Sequence, residues 1–168
     1  MGKIHILDAV HTESYINKNK ENSKNNALKE KGETPKPPKD PDATWGTKGK
    51  RKIIDPITKE ERVINKSFYG YKTHVSLDQK TGLATSLDVS TGSSNDGIFA
   101  IPLIQNDINK GLKPTAVTAD KAYDDGEFHY FLEQRNIFDV VSLKKTRTSH
   151  KNKRLNEKWE KQKSSPLY

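Results

Sequence analysis

The chain predicts an α/β fold, a mixed sheet with helices packed on it. Three observations carry this. Two segments of period-2 alternation, Phe68–Leu77 and Leu83–Ser90, flank a polar turn and read as an antiparallel hairpin. Two helix-period segments follow, each leading into a short β-rich run. A separate β-rich run opens the chain at Lys3–Asp8. A hairpin followed by helix–strand units implies strands of both directions in one sheet. Of the 168 residues only 31% are hydrophobic, so part of the chain lies outside any packed core. There is no cysteine, which excludes a disulfide scaffold, a thiolate zinc site and a thiol nucleophile.

Taken in order, Lys3–Asp8 reads as a short buried strand in which Ile4, Ile6 and Leu7 supply apolar surface and Asp8 closes the run. Residues 17–66 are rich in Asn, Lys, Glu and Pro, with Pro35, Pro37 and Pro38 close together. This composition predicts a long, basic, flexible insertion after the first strand. In the hairpin, Tyr69, Tyr71, Thr73, Val75 and Leu77 share one face, and Leu83, Thr85, Leu87 and Val89 alternate likewise. Asp78 to Gly82 forms the turn. Beyond Asp96, Ile101, Ile104 and Ile108 mark a helix that Gly111 stops. Pro102 requires that helix to start late or to kink. Pro114–Asp120 is a strand ending on an aspartate. Asp124 with Glu127 resembles a capping box, and Phe128, Phe131, Leu132 and Arg135 mark one helical face that ends near Asn136. Phe138–Leu143 is the last strand. Residues 1–143 thus form one domain, and 144–168 a basic tail.

The net charge of +8 is unevenly spread. Residues 17–66 hold 14 Lys/Arg against 8 Asp/Glu, and residues 144–168 hold 9 against 2. The remainder is acidic, with 7 Lys/Arg against 12 Asp/Glu. Basic arms suit a polyanion through counterion release, or are simply solvated. An acidic body beside DNA calls for metal ions between its carboxylates. Asp8 and Asp120 each end a strand. If those strands are neighbours, their carboxylates emerge side by side, and oxygen pairs of this kind suit Mg²⁺. Strand-terminal aspartates that merely cap turns are the other reading. No apolar run is long enough for a membrane span and no signal core follows Met1, so a cytoplasmic protein is expected.

Five blocks sharpen this: Ile4–Asp8 with Ala9-Val10-His11; Asp40-Pro41-Asp42-Ala43; Phe68-Tyr69-Gly70-Tyr71-Lys72-Thr73-His74; Asp78 with Thr81-Gly82; and Thr118-Ala119-Asp120-Lys121-Ala122-Tyr123-Asp124. In kind and order they resemble the catalytic core of DDE transposases of bacterial insertion sequences. That resemblance implies an RNase H-like sheet, as in retroviral integrases, with Mg²⁺ or Mn²⁺ as cofactor. It implies DNA, both transposon ends and target, as partner, and a bacterial protein associated with the nucleoid when DNA-bound. It leaves room for a homodimer. Asp8 aligns with the family's first catalytic and metal-binding aspartate, and Asp120 with the second.

The family's third acid, a glutamate on a later helix, has no counterpart with the right neighbours after Asp120. Glu157 and Glu160 sit in the Lys-rich tail and read as solvated partners of lysines. The sheet is therefore expected to be incomplete at its C-terminal side and the chain to be a truncated transposase core, weak or inactive alone. A non-catalytic DNA-binding remnant is the alternative. Relatives show His-Asp where this chain has Asn95-Asp96, which reads as a variation at a helix start. Lys72 and Lys121 could meet phosphates or be surface lysines. Trp45 with Lys48, Lys50, Arg51 and Lys52 could form a DNA-contacting loop or pin a loop to the sheet. His11 and His74 lie at the site's rim or are satisfied elsewhere, and Tyr123 packs on a strand end or stacks on a base.

Overall fold

The computed structural model describes residues 2–144 together with Glu157, Glu160 and Ser164. The basic tail, those three residues and Lys144 apart, lies outside the described residues. In chain order the elements are β1 (Ile4–Glu13), α1 (Lys18–Glu30), β2 (Thr44–Ile54), β3 (Glu61–Asp78), β4 (Ala84–Thr91), α2 (Ala100–Asn109), β5 (Ala116–Ala119), α3 (Gly126–Gln134) and β6 (Phe138–Val141). Short 3-10 turns precede α2 (Asp96–Phe99) and α3 (Lys121–Tyr123). The chain forms two compact units. One comprises Met1–Val10, His74–Asp88 and Asn95 onward; the other comprises His11–Thr73 and Val89–Ser94. Strands β1, β3 and β4 each pass from one unit into the other.

In the first unit β3 is flanked by β4 and β1, and β1, β5 and β6 follow side by side. β5 runs parallel to both β1 and β6. The expected mixed sheet is therefore present. The helices cover it with Leu103 and Ile104 of α2 and Phe128, Phe131 and Leu132 of α3, packed against Leu7, Val117 and Val141. The Pro102 conflict is resolved by a late start. The 3-10 turn absorbs Asp96–Phe99, and Pro102 falls in the first turn of α2, where its missing N–H costs nothing. Both helices end as read, at Gly111 (φ 80°) and Asn136 (φ 53°). The cap of α3 is Asp125, which accepts from Glu127 N at 2.9 Å, and not Asp124. Asp124 is buried and bonds His129 Nε2 at 2.8 Å, while Asp139 takes Nδ1 at 2.7 Å.

The inward side of the hairpin is polar, against the apolar alternation of the sequence. His74, Ser76, Asp78, Thr85 and Ser86 are buried, whereas Leu83 and Leu87 are exposed. The reason is Asp107 on α2. Its carboxylate accepts from His5 Nδ1 (2.7 Å), Ser76 Oγ (2.5 Å), Thr85 Oγ1 (2.9 Å) and Ser86 Oγ (2.6 Å). Burial pushes this carboxyl up, but hydrogen bonds from Ser76, Ser86, Thr85 and His5 outweigh it and hold the pKa below the usual carboxylate range.

The second unit holds most of the insertion, which is ordered into elements rather than a bare loop. Asn17 caps α1 by accepting from Lys20 N at 3.0 Å. The helix buries no residue. It is fastened by polar contacts: Asn25 pairs with both backbone groups of Lys36, and Glu21 accepts from Lys39 N. β2 pairs antiparallel with β3, Thr44 opposite Gly70 through Ile54 opposite Glu61, with a bulge between Thr47 and Lys50. β1 runs past Asp8 to Glu13, and Ser14 N then donates to Tyr69 O at 2.8 Å. Backbone pairing, not apolar pattern, extends it. Gly70 permits this approach, since a Cβ there would sit 2.1 Å from Thr12 O. Asp40 of the DPDA block ties the unit together, accepting from the hydroxyls of Ser14 and Tyr71. These bonds hold Asp40 low and push the Tyr71 phenol up to about 12.

Candidate active site

Asp8 and Asp120 each directly follow a residue of the last pair in the β1–β5 register. Ile4 pairs with Ala116 and Leu7 with Ala119, so the next residue on each strand is an aspartate. Neighbouring strands lie about 4.8 Å apart. The apolar runs before them, Ile4–Leu7 and Ala116–Ala119, are what bury the two strands, and the carboxylates emerge where burial stops. Both are exposed. Each uses one oxygen locally: Asp8 Oδ1 accepts from Ala9 N and Asp120 Oδ1 from Ala122 N, both at 2.8 Å. The second bond makes Asp120 the cap of the turn Lys121–Tyr123.

The turn ends on Tyr123. Its ring is 1% exposed and belongs to the core. Burial raises its phenol pKa, and the charges of Asp96, Asp8 and Asp120 raise it further. Asp96 starts the other 3-10 turn, where Asn95 accepts from Gly97 N at 3.1 Å, as a helix start requires. His74, fully buried, stacks on Phe99 at 3.9 Å with 8° between planes, and its Nδ1 is 4.0 Å from Asp96 Oδ1.

Divalent magnesium takes one or two carboxylates and keeps several waters. The donor set fits that demand: two exposed carboxylates in register, all oxygen, each with its second oxygen available. Among the described residues no group of three or more His, Asp or Glu side chains is placed to hold an ion together. Glu157 and Glu160 are exposed.

The other expected residues are dispersed. Lys121 is exposed beside Asp120. Lys72 Nζ donates to Ser94 O at 2.8 Å, so it is engaged within the protein. Lys48 pairs with Glu13 at 2.8 Å. Lys50, Arg51 and Lys52 lie exposed on β2, on a two-stranded ribbon instead of a loop, with Lys52 paired to Glu61 at 2.5 Å. Trp45 packs on Tyr69 at 5.5 Å and stays 43% exposed. His11 lies against Phe68 at 4.9 Å. Sequence reasoning did not find Asp96 as a neighbour of the pair. The signals were its place directly after a capping Asn and its match to the aspartate of the His-Asp pair noted above.

The family model described as a transposase DDE domain matches residues 33–167. This chain belongs to that family. Asp120 lies inside the matched span and Asp8 before it. Among solved structures the chain is similar to the HTLV-2 integrase catalytic core domain in complex with magnesium, in its trimeric form. The identity is 21% over 76% of this chain and 78% of that one, with a TM-score of 0.33. No curated protein matches the chain. No described helix of this DDE domain is long and apolar enough to cross a membrane.

Proposed function

We propose that this DDE domain binds DNA and carries the metal-dependent phosphodiester cleavage and strand transfer of transposition at Asp8 and Asp120. The observation that carries the reading is the register of β1 with β5, which pairs Leu7 with Ala119, the residues directly before the two exposed aspartates. Two such groups repel unless a cation lies between them. A bound divalent ion, Mg²⁺ or Mn²⁺, supplies a water of lowered pKa and neutralises charge on the phosphate. Asp8 and Asp120 would hold it, and Lys121, exposed on the turn that Asp120 caps, contacts the phosphate backbone. Lys50, Arg51 and Lys52 on the β2–β3 ribbon bind DNA without reading its sequence. A pair of DNA ends suits a homodimer of this chain.

With two carboxylates, metal affinity is weak and cleavage slow. A second reading, DNA binding without cleavage, is favoured by the lack of a third directly ligating acid at the pair among the described residues. Nicking of supercoiled DNA in Mn²⁺ separates the two. Cleavage abolished by Asp8→Asn and by Asp120→Asn supports the first. Tight DNA binding with no cleavage by the wild-type protein supports the second.

A further inference from the structure

Tyr123 leaves a polar atom in an unusual state. The residue is 1% exposed, and its Oη has no hydrogen-bond partner among the described residues. A buried hydroxyl left unpaired carries an uncompensated desolvation penalty. A water or a hydrated ion at the site would remove that penalty. The hydroxyl lies in the field of three carboxylates, Asp96 first, then Asp8 and Asp120.

Asp96 reaches this place by packing of the two 3-10 turns. The turn Asp96–Phe99 lies against the turn Lys121–Tyr123. The approach is close, since a Cβ at Gly97 would stand 3.3 Å from Ala122 O. His74 buttresses the first turn from beneath through its stack on Phe99. The loop before α2 therefore delivers a third acidic side chain to the edge where β1 and β5 end their pairing. The three aspartates do not form a group able to hold an ion directly.

We propose that Asp96 is a third acidic member of the Asp8–Asp120 site, acting through metal-bound water, and that Tyr123 Oη donates the hydrogen bond that orients this water. Asp96 and Tyr123 are then positioning residues. The inference rests on the reading that Asp8 and Asp120 hold a divalent ion. It adds a role for two residues that do not touch the metal.

Mn²⁺ binding by titration calorimetry tests it, with melting measured in EDTA and in Mn²⁺. Asp120→Asn removes saturable binding. Asp96→Asn and Tyr123→Phe each weaken binding about 10-fold or more, as removal of hydrogen-bonding partners around a metal does. Tyr123→Phe melts in EDTA at or above the wild type, because it deletes the unpaired hydroxyl and keeps the ring. Wild-type affinity in both Asp96→Asn and Tyr123→Phe, with Asp120→Asn still binding-defective, overturns the inference and leaves the parent reading standing. A wild-type protein with no saturable Mn²⁺ binding overturns both.

Discussion

Replacing Asp107 with Ala removes the common acceptor of four buried donors: the ring N–H of His5 and the hydroxyls of Ser76, Thr85 and Ser86. Thr85 still reaches Ser76 O at 3.1 Å, so three donors are left behind, and at about 1–3 kcal/mol each Asp107→Ala should lower stability by about 4 kcal/mol. That is a large share of the roughly 5–15 kcal/mol typical of a domain. Asp107→Asn keeps the shape and one acceptor oxygen and should lose about half as much, roughly 2 kcal/mol. Urea unfolding followed by far-ultraviolet circular dichroism measures both. The pH dependence gives a second handle. The folded pKa of Asp107 is depressed, so its contribution is present above the unfolded carboxylate value of about 3.9 and is lost as pH falls through the folded value. The wild type should therefore lose more stability on acidification than Asp107→Asn. A change within about 0.5 kcal/mol for Asp107→Ala, the range of ordinary surface substitutions, or identical acid limbs in the two proteins, would refute the assignment.

Three further outcomes can be checked. In Asp40→Ala the Tyr71 phenol, held up at about 12 chiefly by its bond to Asp40, should titrate closer to its ordinary value of about 10, as read from phenolate absorbance. An unshifted titration would remove Asp40 from its place at the centre of the second unit. Gly70→Ala forces a methyl group against Thr12 O, 2.1 Å from the ideal Cβ, and should destabilise by about 2 kcal/mol in the same urea assay. A triple Lys50, Arg51 and Lys52 to Ala variant should flatten the salt dependence of DNA binding by about 0.9 in log–log slope for each phosphate that the ribbon no longer neutralises. An unchanged slope would mean that the ribbon meets no phosphate.

The insertion shows what periodicity detects and what escapes it. Residues 17–66 carry no apolar stripe, and α1 buries no residue, so its helical order leaves no trace in the hydrophobic pattern. Its signals are a capping Asn and side-chain bonds to the chain that follows, and these are visible only once that chain is in place. β2 and the first half of β3 behave similarly. Their residues are largely exposed, and the strands exist because each pairs with the other. A composition that reads as flexible is, in this family member, a polar helix and a two-stranded ribbon.

By itself the sequence determined the elements that bury apolar surface. The faces of α2 and α3, the runs before Asp8 and Asp120, the Asp78–Gly82 turn and the helix ends at Gly111 and Asn136 follow from local propensity and one-sided burial. Asp8 and Asp120 stood out because each is a charged residue directly after a buried, mostly apolar run. Tertiary structure alone decided the rest. Register between β1 and β5 made neighbours of Asp8 and Asp120, residues far apart in the chain. The four bonds to Asp107 turned the polar side of the hairpin inward, reversing what alternation suggests. Packing of two short turns set the turn that begins at Asp96 against the turn that Asp120 caps. In each case the deciding energy is an interaction between distant segments, a hydrogen bond or a charge in low dielectric, for which no local pattern of residues is required.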